Sequence, residues 1–184
     1  VGHRYRRELM ERLDQGGQFR AVISNPWSLS GLLIALSQAD DGSNLSMSDR
    51  LRMVMDGSLD CAEVIEKSPW YSIKFLDSVT GYRNFRSPFD DRIDIRLTRL
   101  DMPATILLTE AYGSIEPYMN VNLTERARIG MITFELQTDQ RAALYEHADD
   151  YFQFLWNISD SYVDFLRREA DYRNDLREYV TRNL

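Results

Sequence analysis

Two histidines, one cysteine and a scatter of carboxylates are what this chain offers to nucleophilic or metal chemistry. His3 and His147 are far apart, and neither belongs to an HExxH pair, a cysteine cluster or an Asp-rich calcium loop, so no metal is expected. Both read as histidines on solvated helix surfaces. Cys61, between Asp60 and Ala62 in a helical stretch, reads as a buried structural thiol rather than a nucleophile, and without a second cysteine it fits a reducing compartment. GxGxxG and GxxxxGK[ST] are absent, and Gly16-Gly17 precedes a strand, the wrong order for a phosphate cradle. GxSxG is also missing, which removes the α/β-hydrolase elbow. No cofactor is expected. Asp90-Asp91 and Asp149-Asp150 read as solvated or capping carboxylates. Glu110 and Glu135 fall at the carboxyl ends of apolar runs, where α/β sheets place their sites, although an acid there also marks where a strand emerges into water. Arg96 and Arg99 have the guanidinium fork that binds phosphate or carboxylate bidentately. The candidate ligand-binding set is Asn25, Arg96, Arg99, Glu110, Tyr118 and Asn120, all near expected strand ends; caps, turns and surface pairs use the same residue types.

The elements that must position these residues are legible as periodicity. Residues 3–15 place Tyr5, Leu9 and Leu13 on one helical face, ended by Gly16-Gly17. A strand follows at 18–24 and stops at Asn25-Pro26; Ser28 then caps a helix over Leu29–Gln38. Residues 39–45 are turn-rich. Ser46 or Ser48 opens one long helix to about Lys67, with Leu51, Met55, Leu59, Ala62 and Ile65 as its stripe and Gly57 weakening it by about 1 kcal/mol. Pro69 closes it, Trp70–Asp77 reads equally as helix or strand, and 78–91 is an aperiodic, ligand-covering loop. Ile93, Ile95 and Leu97 alternate with Asp94, Arg96 and Thr98 as a half-buried strand. Ala104–Glu110 reads as a central strand covered on both faces. A turn at Tyr112-Gly113-Ser114 leads into a strand over 115–120, where Pro117 indicates an edge or a bulge. Gly130–Leu136 is the last strand, and helices cover 139–158 and about 161–182. The final helix, rich in tyrosine, suits packing on the domain, on a partner helix, or as a short coiled coil. The expected architecture is α/β: a mixed β-sheet of about five strands flanked by helices as a single domain over 1–160, with an additional C-terminal helix over 161–184.

Composition sets the outer bounds. The chain has 184 residues, 43% hydrophobic and 28% charged, ordinary for one globular core. A net charge of −7 argues against broad nucleic-acid binding, which wants a basic surface. Lys67 and Lys74 are the only lysines among 22 basic residues, and the arginine bias reads as genomic base composition. No apolar run approaches the ~20 residues of a membrane span, and no targeting leader is visible, so cytoplasmic placement without membrane insertion is expected. The Asn-x-Ser/Thr triplets at Asn44, Asn122 and Asn157 read as chance matches. A start at Val1 rather than Met fits a domain cut from a longer chain.

Several of these pieces together resemble one family. A helix ending in Gly-Gly followed by FRAVISNPWS resembles the opening strand of phospholipase-D-like domains. IDIRLTRLDMPATILLTEAYGSIEPYM is similar to their hairpin, and GMITFELQ followed by LYEHADDYFQFLWN to a closing strand and helix of regulatory relatives, across about residues 3–158. The catalytic members use a His-x-Lys-x4-Asp motif on that hairpin, with the histidine attacking phosphorus. Here Met102 to Glu110 holds neither His nor Lys. The resemblance therefore implies a degenerate, non-catalytic member, a sensor or accessory domain of a bacterial cytoplasmic regulator. Because such sites form between two similar halves and this chain matches one, it also implies a homodimer, with a small anionic or phosphate-containing ligand as candidate partner. Two alternatives stand beside it: a phosphodiesterase or nuclease with a displaced active site, and a structural dimerisation domain.

Overall fold

The computed structural model describes residues 10–38, 45–76, 79, 92–100, 102, 104–109, 112–117, 134–137 and 142–183. The chain divides into two compact units: Val1–Arg99 with Ser159–Leu184, and Leu100–Ile158. Apart from Val79, which is buried in the core, the expected loop over 78–91 lies outside the described residues, as do most of 39–45, His3, Glu110, Tyr118 and Asn120.

The first unit is built on a three-stranded sheet ordered β1 (Phe19–Ser24), β2 (Ile93–Thr98), β6 (Asp160–Ser161). β1 and β2 are parallel, in register from Phe19↔Ile93 to Ser24↔Thr98. A parallel pair needs a crossover. It is supplied by α2 (Leu29–Gln38), α3 (Met47–Met55), α4 (Cys61–Lys67) and a π-helical turn over Trp70–Phe75. The helix that ends at Asp14, α1, is described from residue 10, and its Leu13 packs with Ile93 and Ile95. The alternation in β2 buries Ile93, Ile95 and Leu97 and leaves Asp94 exposed, as period two requires.

One long helix was the expectation for 46–67; the chain instead breaks it into α3 and α4. Ser46 and Asp49 form a capping box at the start of α3, satisfying two orphan donors reciprocally. Gly57 adopts φ +79, the left-handed conformation that terminates helices. Asp60 then caps α4 through Ala62 N at 2.9 Å and Glu63 N at 3.0 Å. A glycine read as a weak point inside a helix is thus the point where the chain turns, because a second capping residue stands three positions on.

The C-terminal helix α6 (Tyr162–Asn183) completes the core of the first unit. Phe165, Tyr172, Leu176 and Val180 are buried on it at helical spacing, among Trp27, Leu32, Leu36, Ile65 and Phe75. These side chains form one cluster, and Phe165 sits edge-on to Phe75 and stacked on Tyr172.

The second unit holds a separate antiparallel sheet ordered β3 (Ala104–Leu108), β4 (Tyr112–Pro117), β5 (Phe134–Gln137), together with α5 (Ala142–Ile158). The expected five-stranded mixed sheet is therefore not what forms among the described residues: there are two three-stranded sheets. The physical reason is pairing distance. β3 and β4 are joined by three residues and pair antiparallel, and β5 adds antiparallel to β4, while β1 and β2 pair by crossover, and β2 finds its second neighbour in β6. A two-residue Asp-Ser strand has no alternation to read. β3 is an edge strand and β4 the central one, reversing the expectation from the apolarity of 104–110. Pro117 pairs with Ala104 at the end of the β3–β4 ladder.

Candidate functional site

The carboxyl ends of β1 and β2 are where a parallel sheet exposes chemistry. Asn25 N donates to Thr98 O at 2.7 Å, extending the β1–β2 pairing by one residue. The Asn25 side chain turns inward, and its Oδ1 accepts from Trp27 N at 2.9 Å. That closes an Asx turn, and Asn25 is left 1% exposed. The residue that looked like a site rim is a buried turn fastener. Ser28 Oγ accepts from Gly31 N at 3.2 Å and caps α2, as its place before the apolar run predicts. Trp27 itself is buried, and its Nε1 finds no hydrogen-bond partner among the described residues. Its ring lies 4.0 Å from the Arg173 guanidinium and 5.3 Å from the Tyr71 ring, an arrangement in which the negative face of the indole is satisfied by charge.

Around this point the arginines are each placed against carboxylates of the same chain. Arg173 pairs with Glu66 on α4 and with Glu169 one turn back at 2.7 Å. Arg177 forms a two-pronged pair with Asp60, Nε to Oδ2 at 2.7 Å and Nη2 to Oδ1 at 3.1 Å. Arg99 pairs with Asp175 at 3.0 Å, its guanidinium 4.4 Å from the centroid of Tyr172. Asp160 accepts from Tyr172 Oη at 2.5 Å and from Arg168 at 3.1 Å. Of the candidate residues, Arg96 and Arg99 are therefore placed on different partners: Arg96 Nε approaches Asp94 at 3.9 Å, and Arg99 reaches α6. Glu110, Tyr118 and Asn120 lie outside the described residues.

The electrostatics follow the pairing. The Arg177 guanidinium holds Asp60 below the ordinary carboxylate value, against the opposing effect of burial. Burial raises the Tyr172 phenol, reinforced by its bond to Asp160. Burial, with Glu169 nearby, pushes Tyr71 up to about 12, so at neutral pH it is a protonated phenol and not a base. Burial likewise raises Cys61, which lies in the core; a raised, buried thiol is inert. His147 is exposed on α5. Among the described residues, no group of three or more His, Cys, Asp or Glu side chains is placed to hold a metal ion.

No family model, curated protein or solved structure matches this chain. No described helix is long and apolar enough to cross a membrane.

Sequence reasoning passed over most of this network. Asp60, Glu66, Arg173 and Arg177 are separated by more than 100 residues across their pairs, and a charged helix face looks the same whether it meets water or an oppositely charged neighbour. The i,i+4 spacing of Glu169 and Arg173 was the one local signal available. The Asp60–Arg177 pair carries a pH signature. A carboxylate with a depressed folded value stabilises the fold above its unfolded value and loses that contribution as the pH falls through the folded one. Stability should thus decline as the pH drops below about 4, and Asp60→Asn should flatten that limb in a series of urea melts across pH 2–6.

Proposed function

We propose that the chain is a non-catalytic ligand-sensing or regulatory interaction domain of a bacterial cytoplasmic protein, in line with its resemblance to degenerate phospholipase-D-like domains, and that it acts as a homodimer. The observation that carries this reading is the state of Arg99, just past β2, and of three arginines of α6. Arg99, Arg168, Arg173 and Arg177 are each bonded to a carboxylate of their own chain. Phosphoryl-transfer sites aim guanidinium or ammonium groups at charge that develops on the substrate; groups already neutralised serve the fold. The raised Tyr71 and Cys61 groups support the same reading, since neither is poised as base or nucleophile at neutral pH.

The test has two arms. The full chain should leave bis-p-nitrophenyl phosphate unhydrolysed above the buffer rate, and should sediment as a dimer at micromolar concentration. Turnover that disappears in His147→Ala would establish the displaced-site hydrolase instead. A thermal-shift screen of anions and nucleotides separates ligand sensing from a purely structural role: a reproducible rise in Tm identifies a sensor, whereas a flat panel with a stable dimer leaves dimerisation as the function.

A further inference from the structure

β1 is the long open edge of the first sheet. The order β1, β2, β6 puts β1 on the outside, and the opposite edge, β6, is only Asp160–Ser161. The alternation of the β1–β2 bonds fixes which main-chain groups face outward. Phe19 N donates to Arg92 O and Asn25 N to Thr98 O, both at 2.7 Å, so the odd-numbered residues from 19 to 25 turn their N–H and C=O groups toward β2. Alternate residues of a parallel strand turn theirs the other way. Val22 and Ser24 therefore present N–H and C=O on the outer edge. Among the described residues, no strand, turn or side chain bonds them there. Sheet edges are ordinarily blunted by shortness, a bulge, a proline or charge. β6 is blunted by shortness, whereas β1 is regular over FRAVIS and carries Arg20 as its one charge.

We propose that β1 is the homodimer contact: two copies of the chain pair β1 to β1, antiparallel across a two-fold axis, with Val22 opposite Val22 of the second copy and Ala21 opposite Ile23 of the second copy. This rests on the homodimer reading above and names its surface. A second copy fits the edge because the strand is complementary to itself. In this register valine meets valine on one face, and a small residue meets a β-branched one on the other, both favourable cross-strand pairs. The charge is placed for the same geometry. Antiparallel pairing sends the two Arg20 side chains to opposite ends of the ribbon, whereas parallel pairing in register sets like charges side by side, which is unfavourable. The pairing also closes: each β1 covers the other, and one continuous sheet results with only the short β6 at either end. The two Val22 residues exchange both main-chain bonds, so hydrogen bonding along the edge holds the contact.

Sedimentation of the full chain tests it. Val22→Pro removes an N–H that the β2 ladder does not use, and an edge strand tolerates proline at such a position. By symmetry the dimer loses both Val22–Val22 bonds, so its Kd should rise roughly hundredfold while the urea midpoint stays near that of the parent chain. Oxidative cross-linking reads the register independently of how the proline variant folds. Val22→Cys should form an intermolecular disulfide, because the opposed Cα atoms lie about 5.5 Å apart. Arg20→Cys should not, because its two copies stand at opposite ends of the ribbon. Efficient cross-linking through both positions would indicate parallel pairing and overturn the two-fold register. A Val22→Pro dimer as tight as the parent, or no cross-link in Val22→Cys, would put the contact on another surface: that overturns this inference and leaves the homodimer reading standing. A parent chain that sediments as a monomer at every concentration would overturn both.

Discussion

Deletion of residues 161–184 unfolds the first unit: the truncated chain should lose its cooperative transition in urea and its near-ultraviolet dichroism. The reason is the identity of what leaves. α6 contributes Phe165, Tyr172, Leu176 and Val180 to a single cluster with Trp27, Leu32, Leu36 and Ile65. Full burial of each such side chain is worth about 1.5–3 kcal/mol, while a domain of this size is held by a net margin of about 5–15 kcal/mol. Four such losses consume most or all of that margin. The deletion also removes Ser161 from the β6 ladder, and it strips the partners from Asp60, Glu66, Arg99 and Asp160. A helix that only bridged two protomers would behave differently: its removal would give a folded monomer with an intact melt. Sedimentation and urea titration on the same sample distinguish the outcomes.

Gly31→Ala is the second large effect, and its sign runs against helix propensity. In a helix interior alanine is favoured over glycine by about 1 kcal/mol, so sequence rules alone predict stabilisation. The backbone forbids it. A Cβ on Gly31 would stand 2.1 Å from Pro26 O and 2.9 Å from Pro26 C, well inside any real contact. The obstacle is main chain, held by the Asn25 Asx turn on one side and the Ser28 cap on the other, so it cannot swing aside as a flexible side chain would. Overpacking of this severity costs about 3 kcal/mol or more, which outweighs the propensity gain. The expected result is a fall in the urea midpoint without change of m-value. A midpoint equal to or above that of the parent chain would show that the 25–28 turn can yield.

These two results bear on how much was written locally. β1, α2 and β2 were readable almost to the residue: FRAVIS alternates and ends at Asn-Pro, Ser28 stands before an apolar helical run, and IDIRLT alternates apolar with polar. The two C-terminal helices were visible from their stripes. The signals in each case are neighbours along the chain, and periodicity and capping are local physics. The break at Gly57 was visible as a glycine but not as a turn, because the deciding feature was the Asp60 cap beyond it. The candidate site was less legible. Asn25 was picked correctly as a residue at the strand end, but whether its amide faces a ligand or its own backbone depends on the two-residue-on N–H it bonds.

The amino-acid sequence by itself determined β1, α2, β2 and the two C-terminal helices, that Ser28 starts a helix, and that no motif for metal, nucleotide or serine-hydrolase chemistry is present. Tertiary structure alone decided that the strands divide into two sheets, that a polar Asp160-Ser161 pair becomes a strand, and that α6 belongs to the core of its own chain. It also decided that the arginines beside the strand ends are bonded to acids as distant as Arg177 is from Asp60. The difference has one cause. Local structure is set by interactions between residues a few positions apart, whereas sheet order, helix docking and ion pairing depend on which surfaces the collapsed chain brings together.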